Sequence, residues 1–314
     1  MSRLKRPKIL VIGELNVDIV AIGLRSEPKI GTEILAADCE LTLGSASAIF
    51  AAGVAKLGHN VTFVSHVGRD YFGDFCLNKL RQLGVSTRHV ARNVEEKTGV
   101  TIALSGKRDR ALVTHAGAIA TLTADCINEA LLKRHDHLHL TSYYLQKALQ
   151  PSFAAMFSRA KALGLTTSFD PNSDPSKKWS RNIDNVLRYT DVLFVNEREA
   201  VQLTRSSTPK AALKNLGTKV QCAVIKRGSR GAMAIQDGAP ATHEGFKVAA
   251  VDTTGAGDSF DAGFVSAYLR EAPLAECLRV GNACGALSAT CMGGTAGQPT
   301  EPELQKFLRS ETSN

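Results

Sequence analysis

The alternation of short apolar runs with segments of helical spacing constrains the fold of this chain more than any other feature. The run KILVIG at residues 8–13 is apolar after its first position, as expected of a strand buried on both faces of a parallel sheet. From residue 123 onward, strand-like and helix-like segments follow one another. This rhythm implies βαβ units, so the sequence predicts an α/β fold with a doubly wound, mostly parallel sheet flanked by helices.

Two stretches depart from this rhythm. Residues 20–42 and 86–115 alternate apolar and polar side chains, which is typical of strands with one face in water. We expect them to form a small antiparallel sheet that lies outside the main one.

The charge of the chain limits the classes of partner. A formal net charge of +8 suits phosphate-bearing ligands or nucleic acid. The Lys and Arg residues are scattered, however, and their densest stretches are not interleaved with aromatic residues. A solvated basic surface is therefore favoured, and we expect no binding to nucleic acid.

Cysteine usage and hydropathy point to the compartment. The seven cysteines include no CxxC pair, which is typical of reduced thiols in a cytosolic protein. The N-terminal segment has no signal-peptide pattern, and its apolar run is too short to cross a bilayer. We therefore expect a cytoplasmic protein that does not bind membranes.

The stretch VDTTGAGDSFDAGF at residues 251–264 places glycines in front of a helix that is predicted to begin near Asp258. A helix start presents unpaired N–H groups, and glycine lets phosphate oxygens approach them. Gly255, Ala256 and Gly257 thus predict an anion hole for a transferring phosphoryl group. Asp258 is placed to accept a hydroxyl proton. The alternative is an Asp that only caps the helix, and the motif alone leaves both open.

The segment DTTGAGDSFDAGF resembles the C-terminal signature of the PfkB, or ribokinase-like, carbohydrate kinases. Other segments match the family in the expected order: GELNVDIV, GSASAIFAAGVAKLG, GRDYFGDFCLNKLRQLGV, FDPN, NERE and KRGSRGA. The resemblance spans residues 8–308. It implies that residues 1–314 form a single ribokinase-like kinase domain, with segments at about 14–42 and 96–116 forming a small β-sheet lid.

The resemblance also implies the activity: transfer of the γ-phosphoryl group of ATP, with Mg²⁺, to a hydroxyl group of a sugar or sugar-like substrate. Asp258 would be the base beside the Gly255–Gly257 anion hole. Five residues would line the sugar site, where amide and carboxylate groups suit a polyol: Asn16, Asp18, Gly44, Ser45 and Asp170.

A second group of residues would hold the nucleotide: Asn196, Lys226, Gly228, Gly231 and Asn282. In the family, the Glu of the N-x-x-E pattern, here Glu199, acts on Mg²⁺ through water. Asp252 and Thr254 resemble a loop that binds a monovalent cation such as K⁺ in several relatives. The alternatives are a Glu that only complements a helix start and a Lys and an Asn that are plain surface residues.

The chain departs from the family at one substrate segment. Where the family usually has Gly-Gly, followed by an Asn, this sequence has Ser45 and Ile49. The lost amide removes a polar contact or brace, which argues against ribose or simple fructose as substrate.

Two other functions of the same fold compete with a sugar kinase: a nucleoside kinase and a catalytically silent sugar- or nucleotide-sensing protein. Residues 20–42 and 96–116 contain no aromatic residue to stack on a purine, which counts against the nucleoside kinase. The intact GAGD sequence argues for activity. Relatives often pair through their lids, so the resemblance also implies a homodimer.

The segment HDHLH at residues 135–139 places three histidines at period two as a strand begins. A metal site needs convergent ligands, and we favour ordinary roles for these histidines, with His139 in the core or at the site. Tyr143 and Tyr144 follow the strand, and we expect them at the border of the substrate pocket.

Overall fold

The computed structural model describes residues 6–105, 110–179 and 182–312. Within these ranges the strands, in chain order, are β1 (Lys8–Ile12), β2 (Asn16–Ile22), β3 (Asp38–Leu43), β4 (Asn60–Gly68), β5 (Val85–Asn93), β6 (Gly99–Ser105), β7 (Arg110–His115), β8 (His137–Thr141), β9 (Thr166–Asp170), β10 (Val192–Asn196), β11 (Cys222–Lys226), β12 (Ala232–Gln236) and β13 (Ala239–His243).

The α-helices of the same ranges are α1 (Ala46–Lys56), α2 (Tyr71–Gln82), α3 (Glu129–Leu132), α4 (Phe153–Ala162), α5 (Ile183–Leu187), α6 (Glu197–Thr204), α7 (Pro209–Leu216), α8 (Ala256–Tyr268), α9 (Leu274–Ser288) and α10 (Glu301–Thr312). In the described part of the chain, no helix has the length and apolarity needed to cross a membrane.

Nine strands form the main sheet, in the order β13-β12-β11-β10-β9-β8-β1-β4-β5. The seven strands from β11 to β5 are parallel to one another, whereas β12 and β13 form an antiparallel hairpin at one edge. The predicted mostly parallel sheet is confirmed.

Both faces of the main sheet are covered by helices, as the uninterrupted apolar strands predict. Ile9 and Val11 of β1 pack in the cluster that α1, α2, α8, α9 and α10 cover. Leu10 and Ile12 point the other way, into the cluster that α3 to α7 cover. The alternation of side chains along each strand thus divides the core into two layers.

The small sheet has the order β3-β2-β6-β7 and comes largely from the two segments that were predicted to lie outside the main sheet. The prediction was wrong for residues 86–93, because they lie in β5, which pairs with β4 at the edge of the main sheet. The expectation that it is antiparallel throughout was wrong, because its central strands β2 and β6 are parallel, with Asp18 opposite Thr101. Strands β1 and β5 are parallel and end at the same edge of the main sheet. Strands β2 and β6, which follow them, therefore leave that edge in the same direction.

The segment TADCINEALLKR at residues 123–134 has helix-like spacing, which predicts one helix, but the structure does not form it as one continuous helix. It forms a 3₁₀ turn at Ala124–Cys126 and then the short helix α3. Asn128 separates the two by accepting a hydrogen bond from the N–H of Leu131 as an N-cap, which restarts the helix.

Two of the three histidines of the HDHLH segment lie in the core. His137 and His139 are both buried, and each hydrogen-bonds the hydroxyl of Ser168 at 2.7 Å. The ring of His139 also stacks on Phe50, with 3.5 Å between the ring centroids. These contacts support the core position that was favoured for His139, whereas a core position of His137 was not predicted.

Candidate active site

A large cavity lies between the carboxyl edge of the main sheet and the small sheet. Its lining includes Asp170, Asn196 and Lys226 at the ends of β9, β10 and β11, and Thr101 and Thr114 of the small sheet. Its volume is about 1690 Å³. Pockets for a single small ligand usually have about 300–1,000 Å³. The cavity therefore has room for two ligands, at the edge where open α/β sheets bind them.

The glycine-rich turn opens helix α8 at this cavity. Gly255 is the N-cap, with a φ of 70° that favours glycine, so the helix begins two residues earlier than predicted. The N–H of Ala256 donates to the carbonyl oxygen of Thr253 at 3.2 Å, whereas the N–H groups of Gly255 and Gly257 have no partner in the described residues. Two of the three donors of the predicted anion hole are thus unpaired within the described residues and the Ala256 donor is engaged, while anion binding there stays a prediction.

Asp258 lies in the first turn of α8 and lines the cavity close to two other carboxylates. One oxygen each from Asp258, Asp170 and Asp261 lie within 4.8 Å of one another. The ammonium group of Lys226 donates to Asp170 at 2.6 Å and to both oxygens of Asp261 at 3.0 Å. The predicted base therefore stands beside a network of one cation and two buried carboxyl groups.

The environment of this network shifts its pKa values. Burial by itself would lower the pKa of Lys226, but Asp170, Asp261 and Asp258 outweigh it and raise the pKa above its ordinary value. Burial raises the pKa of Asp261 well above its ordinary value, Lys226 opposes this shift, and Asp170 adds to it. Lys226 is therefore a cation at neutral pH.

Two residues that were predicted to contact ligands bind each other in the structure. Lys226, predicted for the nucleotide, has its ammonium group on carboxylates. Asp170, predicted for the sugar, is buried, with one oxygen on Lys226 and the other accepting from the N–H of Asn172 at 2.9 Å. Both side chains still line the cavity.

Four of the five predicted sugar-binding residues come together at the other end of the cavity, whereas Asp170 lies in the Lys226 network. The amide of Asn16 donates to Asp18 Oδ1 at 2.9 Å and to Thr101 Oγ1 at 3.3 Å. A Cβ on Gly44 would lie 2.1 Å from Asp18 Oδ1, so glycine is needed for this pair to hold its place. The contacts leave a buried amide and a carboxylate on a shared face of the cavity.

Ser45 and Glu14 form a second polar group at the sugar end. Ser45 has a φ of 76°, in the region that favours glycine, and its hydroxyl donates to the backbone carbonyl of Glu14 at 2.5 Å. The carboxylate of Glu14 accepts from the hydroxyls of Ser47 at 2.6 Å and Ser142 at 2.8 Å. Glu14 also lines the cavity, and the sequence analysis had not singled it out.

Asn196 and Glu199 begin helix α6 as a reciprocal capping box. The Asn196 side chain accepts from the N–H of Glu199, and Glu199 Oε2 accepts from the N–H of Asn196, both at 2.9 Å. Ser173 donates to the other oxygen of Glu199 at 2.8 Å. Burial, and then the charge of Asp170, raise the pKa of Glu199. Both residues also line the cavity, so capping and ligand contact are compatible here.

Three of the predicted nucleotide residues, Gly228, Gly231 and Asn282, come together near the end of β13. Gly228 and Gly231 bracket a 3₁₀ turn after β11, both with positive φ. A Cβ on Gly231 would lie 2.1 Å from the carbonyl oxygen of His243, so the turn packs closely on the β13 end. The amide of Asn282 donates towards the same His243.

Asp252 braces the loop before α8. One of its oxygens accepts from the N–H and hydroxyl of Thr254, at 2.9 and 2.8 Å, and the other accepts from the N–H of Gly293 at 2.9 Å. Monovalent-cation binding at Asp252 and Thr254 stays a prediction.

Ile49 replaces the family's usual Asn directly beside the anion hole. Its side chain is buried and lies about 3.0 Å from where a Cβ on Gly255 would stand. The position therefore supports the turn by apolar packing, and the side chain supplies no polar contact there.

The two tyrosines after β8 have different surroundings. Tyr144 lines the cavity, as expected, and its ring makes an edge contact with Trp179. Tyr143 is buried in the core among Phe153 and Phe169 instead. Only Tyr144 therefore borders the pocket.

Asp261 is the residue of the network that the sequence analysis missed. It follows Asp258 by three residues on the same helix, and residues so spaced lie on one helical face. That spacing could have indicated that Asp261 lies beside Asp258. Its contact with Lys226 could not be predicted, because Lys226 comes from a distant strand.

A helix start with unpaired N–H groups, an acid beside it and space for two ligands define a site for moving a phosphoryl group between them. The comparisons with known proteins agree. A model of the pfkB family carbohydrate kinases matches residues 6–301, so the chain belongs to this family.

Similar proteins resemble the chain over nearly its whole length. Ribokinase from Haemophilus influenzae is 30% identical, over 96% of this chain and 99% of the relative. An ATP-dependent ribose-1-phosphate kinase from Halopiger xanaduensis is also 30% identical, over 96% and 98%.

A solved structure of the ribokinase type from E. coli, in complex with ATP and Mg²⁺, superposes with a TM-score of 0.84 at 28% identity, over 97% of this chain and 99% of that one. The predicted family, ribokinase-like fold and activity are confirmed: the protein is an ATP-dependent carbohydrate kinase.

Proposed function

We propose that Asp258 is the general base of this kinase, which deprotonates the acceptor hydroxyl of a sugar or sugar-like substrate as the γ-phosphoryl group of ATP is transferred. The observation that supports this role best is the place of Asp258 in the first turn of α8. There it stands beside the unpaired N–H groups of Gly255 and Gly257, at a cavity with room for both ligands. Those N–H groups stabilise the charge on the transferring group, and the N–H of Ala256 braces the turn.

The sugar binds at the end of the cavity that Asn16, Asp18, Gly44 and Ser45 form. Asp170 also lines the cavity, and it holds the ammonium group of Lys226. The buried amide and carboxylate there suit the paired donors and acceptors of adjacent hydroxyl groups. The small sheet acts as a lid over this end, because Thr101 and Thr114 reach the cavity from it. Closure would exclude water from the transfer.

ATP binds at the other end, against the turn at Gly228 and Gly231, with Asn282 beside the adenine and Asn196 near the phosphates.

Mg²⁺ prefers hard oxygen ligands, and when bound with ATP it neutralises phosphate charge. Glu199 fits an outer role towards it, since its carboxylate is buried, lines the cavity and keeps lone pairs beyond those that accept from Ser173 and from the N–H of Asn196. Glu199 would orient water on the ion. A K⁺ ion at the Asp252–Thr254 loop belongs to the same proposal.

The kinase pairs through its small sheets. Ile102 and Val113 lie opposite each other on one face of that sheet and are exposed, by 39% and 59%. Covering this face with a second copy would remove apolar surface from water. Val113→Asp should therefore convert a dimer to a monomer in light scattering after gel filtration, and a wild-type monomer would refute the pairing.

A cytoplasmic location fits the seven free thiols.

The test of the activity is ADP release with a panel of acceptors: neutral sugars, keto-deoxy sugar acids, a sugar phosphate and nucleosides. The expected result is release with at least one sugar or sugar-like acceptor, well above the ATP hydrolysis measured without acceptor. Release with nucleosides alone, or with no acceptor in the panel, would overturn the proposal.

A further inference from the structure

The ammonium group of Lys226 lies at the edge of the anion hole. A Cβ on Gly257 would stand 3.3 Å from Lys226 Nζ, and among the described residues no other side chain is as near. Lys226 comes from the end of β11 and Gly257 from the first turn of α8, so two rigid elements fix their separation. A phosphoryl group that accepts from the N–H of Gly257 would therefore also meet the ammonium.

The two carboxylates that hold this ammonium are nearly inaccessible to solvent. The side chains of Asp170 and Asp261 are 2% and 1% exposed, and that of Lys226 is 14% exposed on the cavity side. Burying ion pairs is costly, and well-packed apolar residues often stabilise a fold as well or better. Stability alone therefore gives a poor reason for this network, whereas its position at the phosphoryl end of the cavity gives a chemical one.

We propose that Lys226 is a tethered cation that contacts the transferring phosphoryl group, and that Asp261 is the residue that positions it. Asp261 holds the ammonium through both of its oxygens, while Asp170 holds it from the strand side. This inference rests on the proposed function and adds a cation of the protein itself, Lys226, to the groups that contact the phosphoryl group.

The chemistry of the step balances without a change at the lysine. The bond from the γ-phosphorus to the leaving oxygen of ADP breaks, and a bond to the acceptor oxygen forms. The acceptor proton passes to Asp258. Lys226 keeps its proton throughout and stabilises the charge on the non-bridging oxygens, as preorganised donors do in other phosphoryl transfers.

Lys226→Met tests the charge at nearly constant volume. We expect kcat to fall about 100- to 1,000-fold, the size of loss that follows removal of one such donor, with the KM for the sugar within about threefold of wild type. A matched control is Lys161→Met, which removes the ammonium that pairs with Asp191 at 2.6 Å, outside the cavity lining. A K226M kcat within threefold of wild type would overturn the catalytic role.

Chemical rescue separates a missing charge from a damaged fold. In Lys226→Ala, added n-propylammonium replaces the removed atoms, and we expect it to restore kcat at least tenfold. Propan-1-ol, the neutral analogue, should restore nothing. Equal effects of the two compounds, or of neither, would contradict a role for the ammonium charge.

Asp261→Asn tests the positioning role. We expect kcat to fall about tenfold, and the double variant with K226M to be no slower than K226M alone, since Asp261 acts through the lysine. Losses that multiply in the double variant would show that Asp261 acts independently.

A binding measurement distinguishes this inference from the proposed function. We expect K226M to lose at least tenfold in affinity for ADP with aluminium fluoride, a mimic of the transferring phosphoryl group, while its affinity for ADP alone changes less than threefold. Equal changes would overturn the lysine role even in an active kinase. A wild type that is inactive on every acceptor would overturn the proposed function, whatever this binding result.

Discussion

The two ends of the cavity are built from different materials. The phosphoryl end combines the start of α8 with the ends of β9 and β11, and it holds the charged network of Asp258, Asp170, Asp261 and Lys226. The sugar end rests largely on the small sheet, where the amide of Asn16 donates to Asp18 and Thr101.

The two ends therefore differ in function: one holds fixed charges for the phosphoryl transfer, and the other adapts to the substrate. Helix starts and strand ends of the main sheet cannot shift without disturbing the core, so they suit preorganised charge. The small sheet keeps side chains such as Ile102 and Val113 exposed on one face, so it suits a surface that adapts to a substrate and closes over it. Changes at the phosphoryl end should therefore act on kcat, and changes at the sugar end should act on KM.

The largest expected effect is at the phosphoryl end. Asp258→Asn keeps the shape of the side chain and removes its ability to take a proton, so kcat should fall at least about 1,000-fold. Steady-state ADP release measures this loss, and calorimetry with a non-hydrolysable ATP analogue should show nearly unchanged affinity. A variant that keeps a tenth of the wild-type kcat would break the assignment of the base.

A smaller effect is expected at the sugar end. Asp18→Asn removes a charged acceptor, and losing a hydrogen bond to a charged group costs about 1.5–3 kcal/mol. The KM for the sugar should therefore rise about 10- to 100-fold, with the KM for ATP unchanged. The same kinetic assay checks this, with Asp74→Asn, in an exposed ion pair with Arg92, as the control. A loss confined to kcat would erase the contrast between the two ends.

The smallest effect concerns the main sheet as the rigid frame of the phosphoryl end. Burial lowers the pKa of His137 to about 3 and that of His59 to about 4, where the charge of Arg270 lowers it further. An unfolded imidazole has a pKa of about 6.5, so between these values the unfolded chain binds more protons. Stability should therefore fall as the pH drops below about 6.5.

At pH 5 the loss should be about 2 kcal/mol for each of these histidines. Urea unfolding at pH 7 and pH 5 measures it, and His59→Gln should show a shallower dependence on pH. A free energy of unfolding that stays constant between these two values would show that the buried imidazoles do not titrate as described.

The sequence predicted the parts of the fold and site that depend on local pattern. The apolar runs predicted the strands of the main sheet, and the glycines before Asp258 predicted a helix start at a cavity. Asn196 and Glu199 stand three residues apart, which is also the spacing of the capping box that they form.

What the sequence could not predict depends on contacts between distant elements. The parallel pairing of β2 and β6 follows from where β1 and β5 end, which only the assembled sheet shows. Lys226 lies 35 positions before Asp261 in the chain, and nothing local indicates that its ammonium meets that carboxylate. The engaged N–H of Ala256 likewise depends on the path of the preceding turn.

A crystal structure of the kinase with its sugar and a non-hydrolysable ATP analogue would test directly whether Asp258 is the general base. The measured quantity is the distance from the carboxylate of Asp258 to the acceptor hydroxyl oxygen. We expect about 2.6–3.2 Å, the range in which a base can take the proton, with the γ-phosphoryl group at the N–H of Gly257. An acceptor hydroxyl beyond about 5 Å, bonded instead to another acid or base, would contradict it.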